Sequence, residues 1–465
     1  MSNEEMSPMT LPDLDRHFPR YPEFGPLAPT WCVTPLTDRV IHRFFDSSPI
    51  SPSGRYLALT RLPYENRLPR PGDVAEIVVV DLETGKEQIV DETRGWDTQL
   101  GAQTQWGASD RELLYNDVDI RDWRPFGVCF DLSAGTRRPL DGTIYHVSPD
   151  GRTAVSPCLK RTAATQLGYG VWVPETARPK NRGAASDDGI YVTDIATGSS
   201  KLLISLAEIV AHGPAELRGN EYARGDFYGA HVKWSSTGDR LMFVLRWLPE
   251  TSLSTSARTQ LRKLAFAMAR RIPGLVRQAR KSHGVTGAVK RLSKLMKPNL
   301  LTMNTDGSEI RLALGAEAWR RGGHHPNWFP DGQRIVMNLN RDGDAIRFVS
   351  ISAEGGRPEL LAPQRIGSGH PSMHCDGVHL LSDAKPGEAV AAGDGTSPIR
   401  LIDTRSGREQ LLALVRTQSP GGDGNEALRV DAHPAWDRTF RRVVFNGFVD
   451  GTRRVYVSDV SQLLK

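Results

Sequence analysis

Short apolar runs alternate with polar turns along this chain, and the alternation repeats. Seven times an apolar position leads into a turn of the W-S-P-D-G kind and then a hydrophobic run: SSPISPSGRYLALTR, AQTQWGASDRELLYND, TIYHVSPDGRTAVSP, AHVKWSSTGDRLMFVLR, HHPNWFPDGQRIVMNLN, GHPSMHCDGVHLLSD and AHPAWDRTFRRVVFNG. A second hairpin follows each copy, as in EIVVVDLETGKEQIV, FGVCFDLSAGTRRPL and GIYVTDIATGSSKLLI, and RRVYVSDVSQLL closes the chain. Runs of this length bounded by Gly, Pro, Asp and Ser read as strands, so each repeat supplies four antiparallel strands. Seven matched units with no linker between them predict an all-β fold, a seven-bladed β-propeller, in preference to a β-sandwich or two β domains.

The last unit ends too soon to complete its blade. A segment before Ser47, between Arg39 and Phe45, is expected to supply the missing outer strand and close the ring, which removes the open edges. Residues 1–38 then form an N-terminal extension and 39–465 the propeller. Blade three carries the insertion KRTAATQLGYGVWVPETARPKNRGAASDD, and blade four carries a basic one over 251–299.

Charge sharpens the view of that second insertion. Between Thr251 and Thr305 there are twelve Lys or Arg and no Asp or Glu, so the overall charge of +5 becomes −7 without them. The propeller body is therefore acidic and is not expected to bind nucleic acid. Leu261, Leu264, Ala265, Met268 and Ile272 recur at helical spacing with Arg262, Lys263, Arg270 and Arg271 on other faces, which predicts an amphipathic helix. Three uses fit it: an excursion packed on the propeller, a lid over an anionic substrate, or contact with an acidic membrane surface. Its exit a few residues after Arg246 favours the lid over the membrane. Cys32, Cys129, Cys158 and Cys375 form no C-x-x-C pair and read as reduced thiols. No run reaches the roughly 18 apolar residues of a membrane span, and the acidic N-terminus is unlike a signal peptide, so the expected location is the cytoplasm.

Candidate chemistry comes from one repeat position. Six residues before the Asp position of each turn stand Ser47, Gln103, Ile144, His231, His325, His370 and His433, so four consecutive blades place His at the mouth of the central channel. The second strands return to that face with Arg61, Asn116, Asp117, Arg246, Asn340, Arg341, Asp383 and Asn446. Strand-capping histidines are common, but four in register point to a functional cluster. Imidazoles converging with the Gln103 amide suit Zn²⁺ or Mn²⁺, with His325, His370 and His433 as the metal set. His324 and His374 should point away from the channel because strand side chains alternate, and Cys375 lies in the turn at the other end of its strand.

The stretches GAQTQWGASDRELLYNDVD, GGHHPNWFPDGQRIVMNLNRDGD, GSGHPSMHCDGVHLLSD and DAHPAWDRTFRRVVFNGFVDGTRRVYVSDV resemble the propeller-type polysaccharide lyases, above all the seven-bladed ulvan lyases, with oligogalacturonate lyases and TolB-like propellers further off. The resemblance implies β-elimination on a uronate-containing oligosaccharide or polysaccharide: a base removes the C5 proton, the 4-O-glycosidic bond breaks, and an unsaturated sugar remains. It places the family's His, Tyr and Arg on His146, Tyr228 and Arg246. Arg246 would neutralise the carboxylate, Tyr228 would act as acid, and His146 would be a second base or neutraliser, with His231 sharing the mouth. Tyr222 and Tyr169 compete with Tyr228. Gln103, Asn116, Tyr169, Asn340 and Arg341 are the expected substrate-binding residues. The competing function is a non-catalytic TolB-like scaffold that binds a protein or peptide.

Overall fold

A computed structural model of the chain describes residues 11–23, 25–166, 168–250, 295–385, 387–417 and 428–464. Seven four-stranded antiparallel sheets follow one another around a ring, as the repeat predicts. Blade four, for example, is Gly225–Trp234, Arg240–Pro249, Lys297–Asn304 and Arg311–Leu314. Among the described residues the α-helices are three short ones, Leu159–Thr165, Leu206–His212 and Ala316–Trp319. None is long and apolar enough to cross a membrane. The predicted amphipathic helix falls almost wholly in 251–294, outside the described residues.

Ring closure uses a different segment from the one expected. Thr30–Cys32 pairs antiparallel with Tyr456–Ser458 as the outer strand of blade seven, while Val40–Ile41 is the innermost strand of blade one, paired with Thr60–Arg61. The N-terminal extension therefore belongs in part to the propeller, and 39–45 serves the opposite edge of the neighbouring blade. Thr30 also joins its side chain to Ser458 by a buried 2.6 Å hydrogen bond.

Blades pack through apolar faces and are riveted by a few polar side chains. In three blades the tryptophan before the turn donates its indole N–H to the inner strand region of a neighbouring blade: Trp106 to Pro49 O (2.9 Å), Trp328 to Lys233 O (3.4 Å) and Trp436 to Ser372 O (3.4 Å). Ten residues further on, an amide holds the following blade. Asn116 accepts from Ile144 N and donates to Ile144 O, both at 2.7 Å, and Asn338 donates to Gly369 O at 2.8 Å. Asn446 accepts from His42 N at 3.0 Å and so bridges blade seven to blade one.

Candidate active site

The channel is filled from inside by a segment the repeat pattern does not announce. Between the innermost strand of blade one and its turn, Arg43, Phe44, Phe45 and Asp46 turn into the ring and are buried. Arg43 ion-pairs with Asp46 and donates to Tyr145 O, and its Nε donates to Gln103 Oε1 at 2.9 Å. Lys233 Nζ lies 2.9 Å from Asp46 Oδ2 and donates to Pro326 O at 2.8 Å. Burial opposes ionisation of Asp46, but Arg43 and Lys233 overcome it and hold the carboxyl well below the usual range. Buried charge is tolerable here because each member is paired and hydrogen-bonded.

Phe44 divides the predicted histidine ring in two. Its ring stacks parallel to His231 at 6.1 Å on one side and meets His433 edge-on at 4.8 Å on the other. On the far side, His370 stacks on His325 at 3.9 Å and meets His433 at 4.4 Å. Gln103, His325 and His433 all adopt positive φ (62°, 58° and 48°), which kinks the inner strand at the ring position. In blade five this kink is a β-bulge between His324 and Asn327. Strict alternation therefore fails: His324 does not turn away but lies against His325, with Nδ1 atoms 2.9 Å apart.

Beyond Phe44 the metal-ligating set differs from the expected one. His370, His433 and Asp431 bring ligand atoms within 4.8 Å of one another. His325 is outside this group because its Nδ1 faces Gly369 O at 2.6 Å. His370 Nδ1 is held by both oxygens of Asp383, at 2.9 and 3.1 Å, while its Nε2 has no hydrogen-bond partner among the described residues. Both ring nitrogens of His433 are likewise unpartnered, and Asp431 Oδ2 lies 3.7 Å from His433 Nε2. Buried imidazole nitrogens left without donors or acceptors, one oriented by a carboxylate behind it, fit a Mn²⁺ or Zn²⁺ ion. Gln103, engaged by Arg43, takes no part.

On the near side of Phe44 a pocket opens between blades two, three and four. His231 stands in it, partly exposed, with Tyr145, Tyr169, Gln103 and the helix Leu159–Thr165 around it. Tyr145 OH is hydrogen-bonded to His231 Nδ1, and Tyr169 meets the imidazole edge-on at 6.2 Å. The blade-three insertion supplies both the helix and Tyr169. Gly170, at φ +81°, makes the turn that aims this tyrosine, and a Cβ there would stand 2.5 Å from Leu159 O. Asp97 ties the turn down by accepting from Gly170 N at 2.9 Å, and burial pushes its carboxyl up to about 7. Arg429 Nη2 donates to Tyr169 OH at 3.0 Å, and Arg429 Nε donates to Asp431 Oδ2 at 2.7 Å. One guanidinium thus joins the pocket to the metal-ligating group.

Arg246 is the electrostatic anomaly. It is 9% exposed, forms no ion pair among the described residues, and has one weak hydrogen bond, from Nη1 to Thr165 Oγ1 at 3.4 Å. Burial pushes its pKa down to about 10, opposed by Tyr145 and Tyr169. Burial and then the charge of Arg246 hold His231 well below an ordinary histidine, so its imidazole is neutral.

Several expected site residues have other work. His146 receives Trp234 N on Nδ1 and faces Asp46 O with Nε2, each at 3.3 Å, which leaves neither nitrogen for chemistry. Tyr228 pairs with Arg246 in the strand register, yet the charges acting on its hydroxyl are Asp226, Asp188 and Arg161, away from His231. Tyr222 is hydrogen-bonded to Asn299. Asn116 is a rivet. Asn340 caps its own turn through Gly343 N (2.8 Å), and Arg341 pairs with Asp342. Tyr145, Arg429, Asp431 and the Phe44 plug were not foreseen. A run of Arg-Phe-Phe-Asp beside an inner strand is the signal that was available.

Comparison with known proteins adds a fold-level result. An oligogalacturonate lyase from Vibrio parahaemolyticus superposes over 97% of this chain and 98% of its own, with a TM-score of 0.58 and 15% identity. The fold is shared with the oligogalacturonate lyases. A second such structure, in complex with manganese, covers 95% of this chain and 96% of its own (TM-score 0.55, 14% identity). No family model matches the sequence. The Bacillus subtilis (strain 168) protein described as the uncharacterized peptidase YuxL is 31% identical over 99 residues, which are 21% of this chain and 14% of that protein. The match thus spans a small part of that relative's length.

Proposed function

We propose that the protein is a lyase that cleaves a uronate-containing oligosaccharide by β-elimination in the pocket around His231. The observation that carries this reading is Arg246: a buried guanidinium with no carboxylate partner among the described residues, beside a neutral imidazole. An uncompensated buried cation is costly, and a site that keeps one is built to receive an anion. A uronate carboxylate matches the fork of the guanidinium and also gains from its neutralisation, because the C5 proton becomes more acidic when the adjacent charge is offset.

His231 is the base in this scheme. With Tyr145 accepting from Nδ1–H, Nε2 carries the lone pair that takes the C5 proton, and its lowered pKa keeps it free at neutral pH. The electron pair left on C5 forms the C4–C5 double bond as the C4–O bond breaks, and Tyr169 is the proposed acid that protonates the departing oxygen. His370, His433 and Asp431 would hold Mn²⁺ or Zn²⁺, which when bound supplies positive charge to an acidic ligand. The oligogalacturonate lyase seen with manganese supports that choice, as the shared fold supports the reaction class.

The test is direct. Elimination creates a conjugated C=C bond that absorbs in the near ultraviolet. Oligogalacturonides, ulvan, glucuronan and glycosaminoglycan fragments are incubated with purified protein, with and without Mn²⁺. Rising absorbance on one of them supports the reading. Silence on all of them, with isothermal titration showing no uronate binding, would replace the lyase with a binding scaffold.

A further inference from the structure

A second set of metal ligands lies at the opposite end of blade six. The turn joining Ser372–Met373 to His379–Ser382 reads His374-Cys375-Asp376-Gly377-Val378-His379, and His374, Asp376 and His379 bring ligand atoms within 4.8 Å of one another. Asp376 Oδ2 is the centre of the group, 3.0 Å from His374 Nδ1 and 2.6 Å from His379 Nδ1. The other carboxylate oxygen accepts from Val378 N (2.7 Å) and His379 N (3.0 Å), which fixes the plane of the group. His374 is steadied from blade seven by Trp436 and Phe440, whose ring centres lie 5.2 and 5.3 Å away. Cys375 Sγ stands 3.7 Å from His374 Nε2.

We infer that this turn is a zinc-class metal site, with His374, Asp376 and His379 as protein ligands and the Cys375 sulfur beside the open position. Two imidazoles and a carboxylate are a donor set that Zn²⁺ and its borderline neighbours take, while Mg²⁺ and Ca²⁺ prefer oxygen. The arrangement has both parts of a working site: ligand atoms that converge, and outer contacts that hold them. The corresponding turn of blade five shows what is particular here. Asp331 accepts from Gln333 N and Arg334 N in the same way, but its second oxygen is taken by Arg334 Nε at 2.7 Å, where blade six offers an imidazole. In blade six a histidine replaces that arginine, and another precedes the aspartate. The site faces away from the His231 pocket, so its proposed role is to fasten the first turn of blade six against blade seven.

The experiment uses untagged full-length protein, Zn²⁺ or Co²⁺ as probe, and isothermal titration with thermal unfolding. The channel group is removed by His370→Ala with His433→Ala, so that only this turn remains to be titrated. That variant should bind one equivalent of Zn²⁺, and adding His379→Ala should weaken binding at least about tenfold and abolish the rise in Tm that Zn²⁺ produces. If the channel variant does not fold, wild type is compared with His379→Ala alone, which should bind one equivalent fewer. Unchanged stoichiometry and affinity on loss of His379, in whichever background folds, would overturn the proposal. Because this site lies apart from the His231 pocket, that result would leave the lyase reading where it stood.

Discussion

The hydroxyl of Tyr145 and Nδ1 of His231 share a hydrogen bond across the seam between blades three and four. A phenol in that position selects which imidazole nitrogen carries the proton, and so decides whether Nε2 can act as a base. Tyr145→Phe removes only the oxygen. We expect kcat on the uronate substrate to fall by roughly 10²-fold with KM little changed, because a general base that loses its orienting partner is lost to the chemical step and not to binding. A variant with raised KM and normal kcat would show instead that Tyr145 touches the substrate.

Arg246 offers a test in which activity and stability move in opposite directions. Arg246→Lys keeps the charge but not the fork, and should cost roughly 10²-fold in kcat/KM. Arg246→Met removes a buried cation that has no carboxylate partner among the described residues, so it should abolish turnover while raising stability by about 1 to 2 kcal/mol. The acid limb of the activity remaining in Arg246→Lys reports on His231. In the inactive Arg246→Met the imidazole is followed directly by NMR: losing the Arg246 charge raises the His231 pKa, so its titration should move to higher pH. A destabilised Met variant would mean that Arg246 is a structural residue and not a receptor for an anion.

The fold was legible because it is periodic, and the site less so because it depends on departures from the period. Seven W-S-P-D-G-like turns determine seven blades. The same register identified His231, Arg246 and Gln103, which the structure does bring around one pocket or its rim, where Tyr169 of the blade-three insertion joins them. It failed where side chains at equivalent positions do different jobs. Asn116 and Asn446 share their position with Asn338 and rivet blades, whereas blade four has Val244 there and frees its neighbourhood for Arg246. His146 was chosen by resemblance, but two backbone contacts absorb it. Phe44 and Phe45 belong to no repeat, so no periodic argument could place them in the channel. The closing strand was set too late in the chain because 39–45 looked unassigned, when it was already needed as the inner strand of blade one.

Stability should fall with acid from an unusually high pH. Burial pushes His146 down to about 4 and His42 and His324 to about 3, and holds His231, His325, His370 and His433 well below their ordinary value of 6.5. Below pH 6.5 the unfolded chain binds these protons and the folded chain does not, so each group removes up to about 1.4 kcal/mol per pH unit until its folded pKa is reached. Asp97, raised to about 7, and Asp383, raised to about 6, act in the opposite sense, since the folded chain holds their protons first. Burial raises Glu65 and Asp188 in the same sense, and seven imidazoles outweigh these four carboxyls. Urea midpoints should therefore decline steadily from pH 6.5 to 5, and His146→Gln should make that decline shallower. A midpoint independent of pH over this range would contradict the burial of these imidazoles.

The plug can be tested through Phe44. Its ring, 2% exposed, lies against His231, His370 and His433, with Lys233 Nζ 5.4 Å from its centre. Phe44→Ala would open a cavity where three imidazoles and an ammonium meet, at a cost of about 3 to 5 kcal/mol, whereas Phe44→Leu should recover much of that. The cavity would be polar enough to admit water, so the histidine pKa values should rise towards 6.5 and the pH dependence of stability should become shallower along with the loss of stability itself. That joint change separates a plug from an ordinary core phenylalanine, whose loss lowers stability equally at every pH. If Phe44→Ala unfolds at the wild-type urea concentration, the segment from Arg43 to Asp46 is not seated in the channel in solution, and the division between the His231 pocket and the His370–His433–Asp431 group falls with it.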